Sequence, residues 1–141
     1  MVEKHLFFDP SGEISWIPLD RDTIFYPDGH RSSTLNLDQI HDCLDCCFFE
    51  IVRTVLPDIV LVIDDSGKIK DPPKPFNELA SKLYLGFLVG GADIFGSDIC
   101  GSAFVMAERP SEPYGEPDLE PLNDKDLARL SLYLGVKLPE K

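Results

Sequence analysis

Four side chains able to bind a metal or attack an electrophile crowd into one stretch: His41, Cys43, Cys46 and Cys47 in IHDCLDCC. Thiolate and imidazole are the ligands of structural zinc, and a thiol beside an imidazole is half of a nucleophilic triad. Either chemistry depends on the backbone that carries the groups. Residues 36–56, NLDQIHDCLDCCFFEIVRTVL, read as one amphipathic helix. At about 100° per residue, Leu37, Ile40, Leu44, Cys47, Phe48, Ile51 and Val55 share one core-facing arc. On that wheel His41 points away from the cysteines. Cys43 and Cys47 lie one turn apart, which gives two ligands where a structural site needs four. The expectation is therefore small buried or half-buried thiols and no metal. Ile51 is expected in the core. Phe49 falls opposite the apolar arc, beside Asp42, Asp45, Cys46 and Arg53. An aromatic there needs a cover: another layer of the fold, or a partner chain such as a second copy in a homodimer.

The other candidates are weaker. Cys100 has no identifiable base, since His5, His30 and His41 belong to other segments, and no pair of carboxylates stands out as acid and base. No catalytic residue and no cofactor are expected, and the chain reads as a non-enzyme. Five of the ten glycines (86, 90, 91, 96 and 101) fall in GFLVGGADIFGSDICGSAFVMA. Neither the P-loop nor the GxGxxG pattern is present. The alternative to a non-enzymatic interaction protein is a module that holds a small, nucleotide-like ligand with Gly90, Gly91, Asp98 and Tyr84.

The net charge is −12 over 141 residues, and the acidic excess is spread along the chain. Repulsion by phosphate argues against direct nucleic-acid binding. A protein partner with a basic surface fits better. The segment 108–121, ERPSEPYGEPDLEP, carries Glu108, Glu112, Glu116, Asp118 and Glu120 against the single Arg109. It reads as an acidic, Pro-rich loop and as a partner-binding candidate. No apolar run approaches the length of a membrane span, and the N-terminus lacks the features of a signal peptide. Three cysteines within five residues do not form a disulfide framework, so a reducing, cytoplasmic setting is expected.

The elements that must position these groups follow from turn and cap chemistry. Residues 5–8 and 14–17 form a hairpin about Asp9-Pro10-Ser11-Gly12, with Pro18 ending the second arm. Thr23–Tyr26 reads as a short strand before the Pro27-Asp28-Gly29 turn. Asn36 caps the long helix, with Gln39 as capping-box partner and Leu35 and Ile40 as staple. IVLVI (59–63) is a buried central strand, Asp64-Asp65-Ser66-Gly67 a turn, and DPPKP (71–75) a stiff connection. Asn77 caps a second helix and Ala103–Ala107 forms another buried strand. Asn123 caps a last helix, with a Leu122–Leu127 staple and a stop at Gly135. One domain is expected over 1–141. Its class is α+β, a mixed, mainly antiparallel sheet with helices at about 36–56, 77–85 and 123–134 packed largely on one face.

The central segment also resembles a family. A strand ending in a turn (IVLVIDDSGK, 59–68), then Pro75, Asn77, Ala80, Leu83 and Tyr84, then a glycine leading into a strand (DICGSAFVMA, 98–107) resemble the core of a small group of phage, plasmid and integrative-element proteins known only as a domain of unknown function. The resemblance covers roughly 37–107, with a helical tail at 123–134. It implies a mobile-element context and an accessory or counter-defence role, and it brings no catalytic residues.

Overall fold

Two stretches of the chain set the centre of the molecule. β5 (Ile59–Asp64) is buried at every position. β6 (Ala103–Pro110) is buried from Ala103 to Ala107. Strands buried on both faces need a strand on each side and a layer above and below. The computed structural model, which describes residues 2–29, 31–67, 69–70, 72–84, 98–110 and 117–141, supplies both. β5 and β6 pair antiparallel, from Ile59 opposite Ala107 to Ile63 opposite Ala103. β4 (Phe49–Arg53) flanks β5. On the far side of β6 come β1 (Val2–Phe8), β2 (Ile14–Phe25) and β3 (Arg31–Leu35), in that order. β7 (Pro117–Glu120) pairs with the end of β6 that lies beyond β1. Every strand pair among the described residues is antiparallel, so the expected mixed sheet is antiparallel throughout them.

The pleat sends alternate side chains into two cores. Ile59, Leu61 and Ile63 join Leu6, Phe8, Ala103, Val105 and Ala107 on one face. There α2 (Glu78–Leu83) adds Ala80 and Leu83, and α3 (Asp124–Leu134) adds Leu130 and Leu134. Val60, Val62, Phe104 and Met106 meet Leu19, Leu35 and the α1 (Leu37–Leu44) residues Ile40 and Leu44 on the other. The fold is α+β, but the helices divide between the faces instead of sharing one. Two central strands that are apolar on both sides leave neither face free.

The helix expected over 36–56 is half helix and half strand. α1 ends at Leu44, and Asp45 adopts the left-handed conformation (φ 50°, ψ 58°). The amide of Cys46 then bonds back to the carbonyl of His41 at 3.1 Å, the closing bond of a Schellman turn. Residues 49–53 become the neighbour that β5 requires. Ile51, expected in the core, sits on this edge strand and is 42% exposed. The helical arc through 47–55 arose because Phe48, Phe49, Ile51, Val52, Thr54 and Val55 are also good strand formers. Asn36 does cap α1, accepting from the Gln39 amide at 3.0 Å, but the Gln39 side chain serves Asp20 instead of closing the box.

The N-terminal hairpin has the expected turn, with Gly12 at φ 95°. Pro18 does not end its strand: it faces Lys4 in a register that runs on to Asp20. β3 joins the other edge of β2 only from Arg21, so the missing donor of Pro18 has an open edge to face. Asn77 is a buried joint between α2, the end of β1 and the turn before β6. It caps α2 through Ala80 N, while its amide group donates to the carbonyls of Phe8 and Gly101, each at 2.9 Å. Asn123 and Asp126 close a full capping box on α3, and Gly135 ends it at φ 68°.

Truncation should separate core strand from edge strand. Leu61→Ala is expected to cost about 2–5 kcal/mol in a denaturant titration, and Ile51→Ala under about 1 kcal/mol.

Candidate functional site

Beyond Asp20 the second and third strands leave the body of the sheet as a two-stranded arm. Residues 21–25 pair with 35–31, Arg21 opposite Leu35 and Phe25 opposite Arg31. Gly29 turns the tip, with φ 85° and its amide bonded to the Tyr26 carbonyl at 3.0 Å. The base of the arm is clamped. Gln39 on α1 accepts from the Asp20 amide at 2.7 Å and donates to the Asp20 carboxylate at 2.8 Å, and the Asn36 amide donates to the Asp20 carbonyl at 2.9 Å. The Arg21 guanidinium reaches Glu3 on β1 at 2.8 Å and the Leu119 carbonyl on β7 at 2.6 Å. The tip has no such cover. Every residue from 22 to 29 is exposed, and Ile24, Phe25 and Tyr26 show 45%, 72% and 45% of their surface. On a strand, Ile24 and Phe25 point to opposite faces, so both sides of the arm carry apolar side chains. The chain then passes into α1, whose outer side holds exposed Leu37 and the exposed acids Asp38 and Asp42.

At the other end of α1 lies a charged cluster. Asp64, buried at the end of β5, takes Lys70 at 2.5 Å and Lys74 at 2.8 Å. Its other oxygen accepts from the Ser66 amide and hydroxyl at 3.0 and 3.1 Å. Lys74 also donates to the carbonyls of Leu44 and Asp45, and Lys70 to that of Asp45. The two ammonium groups thus satisfy the last carbonyls of α1 where its dipole is negative. Burial alone would raise the Asp64 carboxyl, but the lysine and serine hydrogen bonds hold it down at about 2. Gly67 permits the turn, since a Cβ there would stand 2.6 Å from the Cys100 carbonyl oxygen.

The helix end also rearranges the thiols. His41, expected far from the cysteines, lies with Nδ1 at 3.8 Å from Cys46 Sγ, because the chain doubles back after Leu44. Nδ1 is at 3.2 Å from the Cys46 carbonyl, which can only accept, so that nitrogen carries the proton. It therefore has no lone pair with which to take the thiol proton. Burial, reinforced by Asp64, pushes the Cys46 thiol up, and burial with Asp42 does the same for Cys43. Thiols shifted this way are poor nucleophiles. Cys43 and Cys47 no longer share a helix, Cys47 is exposed, and no group of three metal-binding side chains forms among the described residues.

The remaining sequence candidates do not converge. Phe49 is half-buried on β4, with its ring 5.2 Å from that of His41, so the fold itself partly covers it. Glu108, Asp118 and Glu120 are half-buried on β6 and β7, where the sequence suggested a loop, while Glu112 and Glu116 lie outside the described residues. Arg109 is held first by buried Asp126 at 2.6 Å and reaches Glu120 at 3.7 Å. Of the ligand-binding set, Gly90 and Gly91 lie outside the described residues. Tyr84 is half-buried at the end of α2 and Asp98 is exposed. Sequence reasoning placed the strand at Thr23–Tyr26 and the turn at Pro27-Asp28-Gly29 but missed that they form an exposed arm, and it missed the Asp64 cluster. A charge that continues a fully apolar strand, with two lysines a few residues on, was the available signal for the second. No helix among the described residues is long and apolar enough to cross a membrane. Comparison of the chain with protein-family models, curated proteins and solved structures finds no match.

Two measurements follow from this geometry. Because the folded carboxyl of Asp64 sits at about 2 against an ordinary 3.8, its contribution to stability is complete above the ordinary value and disappears as pH falls through about 2. Asp64→Asn should lose about 1–3 kcal/mol at neutral pH and flatten that acid limb of the unfolding curve. Limited alkylation of the native protein followed by peptide mapping should label Cys47 before Cys43 and Cys46; preferential labelling of Cys46 would contradict the assigned imidazole proton.

Proposed function

We propose that this chain is a non-enzymatic interaction protein that docks on a partner protein through the β2–β3 arm. The observation that carries the reading is the exposed stretch 22–29, with Ile24, Phe25 and Tyr26 showing much of their surface on an arm whose base is held by Gln39 and Arg21. Aromatic side chains on a pre-formed element supply large contact area with little ordering cost, and such residues dominate protein interfaces. The partner carries an apolar cleft bordered by basic residues. The net charge of −12 and the exposed Asp22, Asp28, Asp38 and Asp42 support that choice of charge. Acids around an apolar contact steer the encounter and set its salt dependence more than its final strength. With the resemblance of residues 37–107, the reading extends to an accessory protein of a phage or mobile element, with counter-defence as the role.

The test is capture from lysate of the source cells, followed by binding measurements on the captured partner. Phe25→Ser should weaken binding at least about tenfold, as loss of an interface anchor does, and leave unfolding stability within about 0.5 kcal/mol, as for an exposed site. Raising salt from about 0.1 M to 1 M should slow association with little change in dissociation. Full binding by both Phe25→Ser and Ile24→Ser would remove the arm from the interface.

A further inference from the structure

We propose that His5 is an acid-sensing switch whose protonation loosens β7 from β2. The inference is independent of the interaction reading. It starts from a fork in the sheet. β1 follows β6 only through Leu6, Phe7 and Phe8, opposite Val105, Phe104 and Ala103. From Ala107 onward that flank of β6 is taken by β7. Glu3 and His5 lie on β1 just before that pairing begins, and Arg21 lies on β2 just past the last β1 pair.

The His5 ring is fully buried, and neither of its nitrogens has a hydrogen-bond partner. Nε2 stands 3.4 Å from Glu3 Oε1, close enough for charge but not a hydrogen bond in the neutral ring. That same oxygen is committed to Arg21, accepting from Nε at 3.0 Å and Nη2 at 2.8 Å. Arg21 Nη2 in turn donates to the Leu119 carbonyl at 2.6 Å, a direct tie from β2 to β7. The charged groups acting on the ring are Glu3 on its own strand, Arg21 on β2 and Lys141 at the end of the chain.

With His5 neutral, its two half-buried neighbours are one carboxylate and one guanidinium. A proton on the ring adds a second cation beside Arg21, and both then compete for Glu3 Oε1. Burial already disfavours that proton, so the ring titrates below its ordinary 6.5, with Glu3 opposing the shift and Arg21 and Lys141 adding to it. The sign follows: the neutral ring favours the closed form above 6.5, and that preference is lost as pH falls through the lower folded value. Relief comes from admitting water, and β7, tied to the cluster through the Leu119 carbonyl, is the strand that yields. It is four residues long and, among the described residues, pairs with β6 alone, whereas β1 is held by seven pairs to β2 and three to β6. An imidazole whose charge changes below its ordinary value and whose protonated form breaks a tie between two strands is a pH device.

The experiment follows two signals on the full chain as pH is lowered from about 7.5 through the His5 titration: the NMR shift of the His5 ring, and amide-exchange protection, corrected for the intrinsic pH dependence of exchange. Protection of the amides in residues 118–120 should fall at least about tenfold with the midpoint of the His5 titration, while β5 amides keep theirs. His5→Gln, which cannot titrate, should show no such step. The proposal fails if β7 protection is flat across the titration, if β5 loses protection at the same midpoint, or if His5→Gln retains the step. If His5→Gln does not fold, the wild-type comparison decides alone: midpoints of ring and strand that differ overturn the assignment.

Discussion

The carboxylate of Asp64 is the interaction on which the centre of this molecule depends. It closes an otherwise apolar strand, and a charge placed there is tolerable only with partners close by. Lys70 and Lys74 provide them from a segment that has no regular structure of its own. Because the same ammonium groups also hold the Leu44 and Asp45 carbonyls, the ion pair and the end of α1 are one arrangement. Ending the helix at that point frees the following residues to become β4. The strand beside β5, the turn at Gly67 and the placement of the thiols all follow.

A second constraint is the two-faced centre. β5 and β6 offer apolar side chains above and below, so α1 must cover one face while α2 and α3 cover the other. Asn77 joins these layers: its side chain starts α2 and ties it to the end of β1 and the start of β6. Asp126 does similar work at α3, where it completes the capping box while it binds Arg109 and Arg129. Asp64, Asn77 and Asp126, buried polar groups, thus join separate elements, and each has several partners. Both nitrogens of the buried His5 ring contrast with them in having no hydrogen bond among the described residues.

The arm contrasts with the body. Its base is held by side chains from β1 and α1 and by the Leu119 carbonyl of β7, and its outer residues are exposed, with apolar side chains on both faces. An arm of that kind keeps its shape without a partner, so little ordering remains to be done on contact. The thiols and histidine that first attract attention belong instead to the stiff end of α1, where burial and a carbonyl-bound imidazole suppress their chemistry.

Local chemistry alone determined much of the chain. The turn at Asp9–Gly12, the caps Asn36, Asn77 and Asn123, the stop at Gly135 and the buried strands at 59–63 and 103–107 were legible because each depends on a few adjacent side chains. The α+β class followed from them. What only the tertiary structure decided depends on partners distant in the chain. The segment after Leu44 suits helix or strand equally, and the need of β5 for a neighbour made it a strand. The meeting of His41 with Cys46 and the exposure of Ile51 follow from where the helix ends, a point fixed together with the pairing of Asp64 with Lys70 and Lys74. Nor could the sequence show that residues 22–29 stand clear of the body, because exposure depends on what the rest of the chain leaves uncovered.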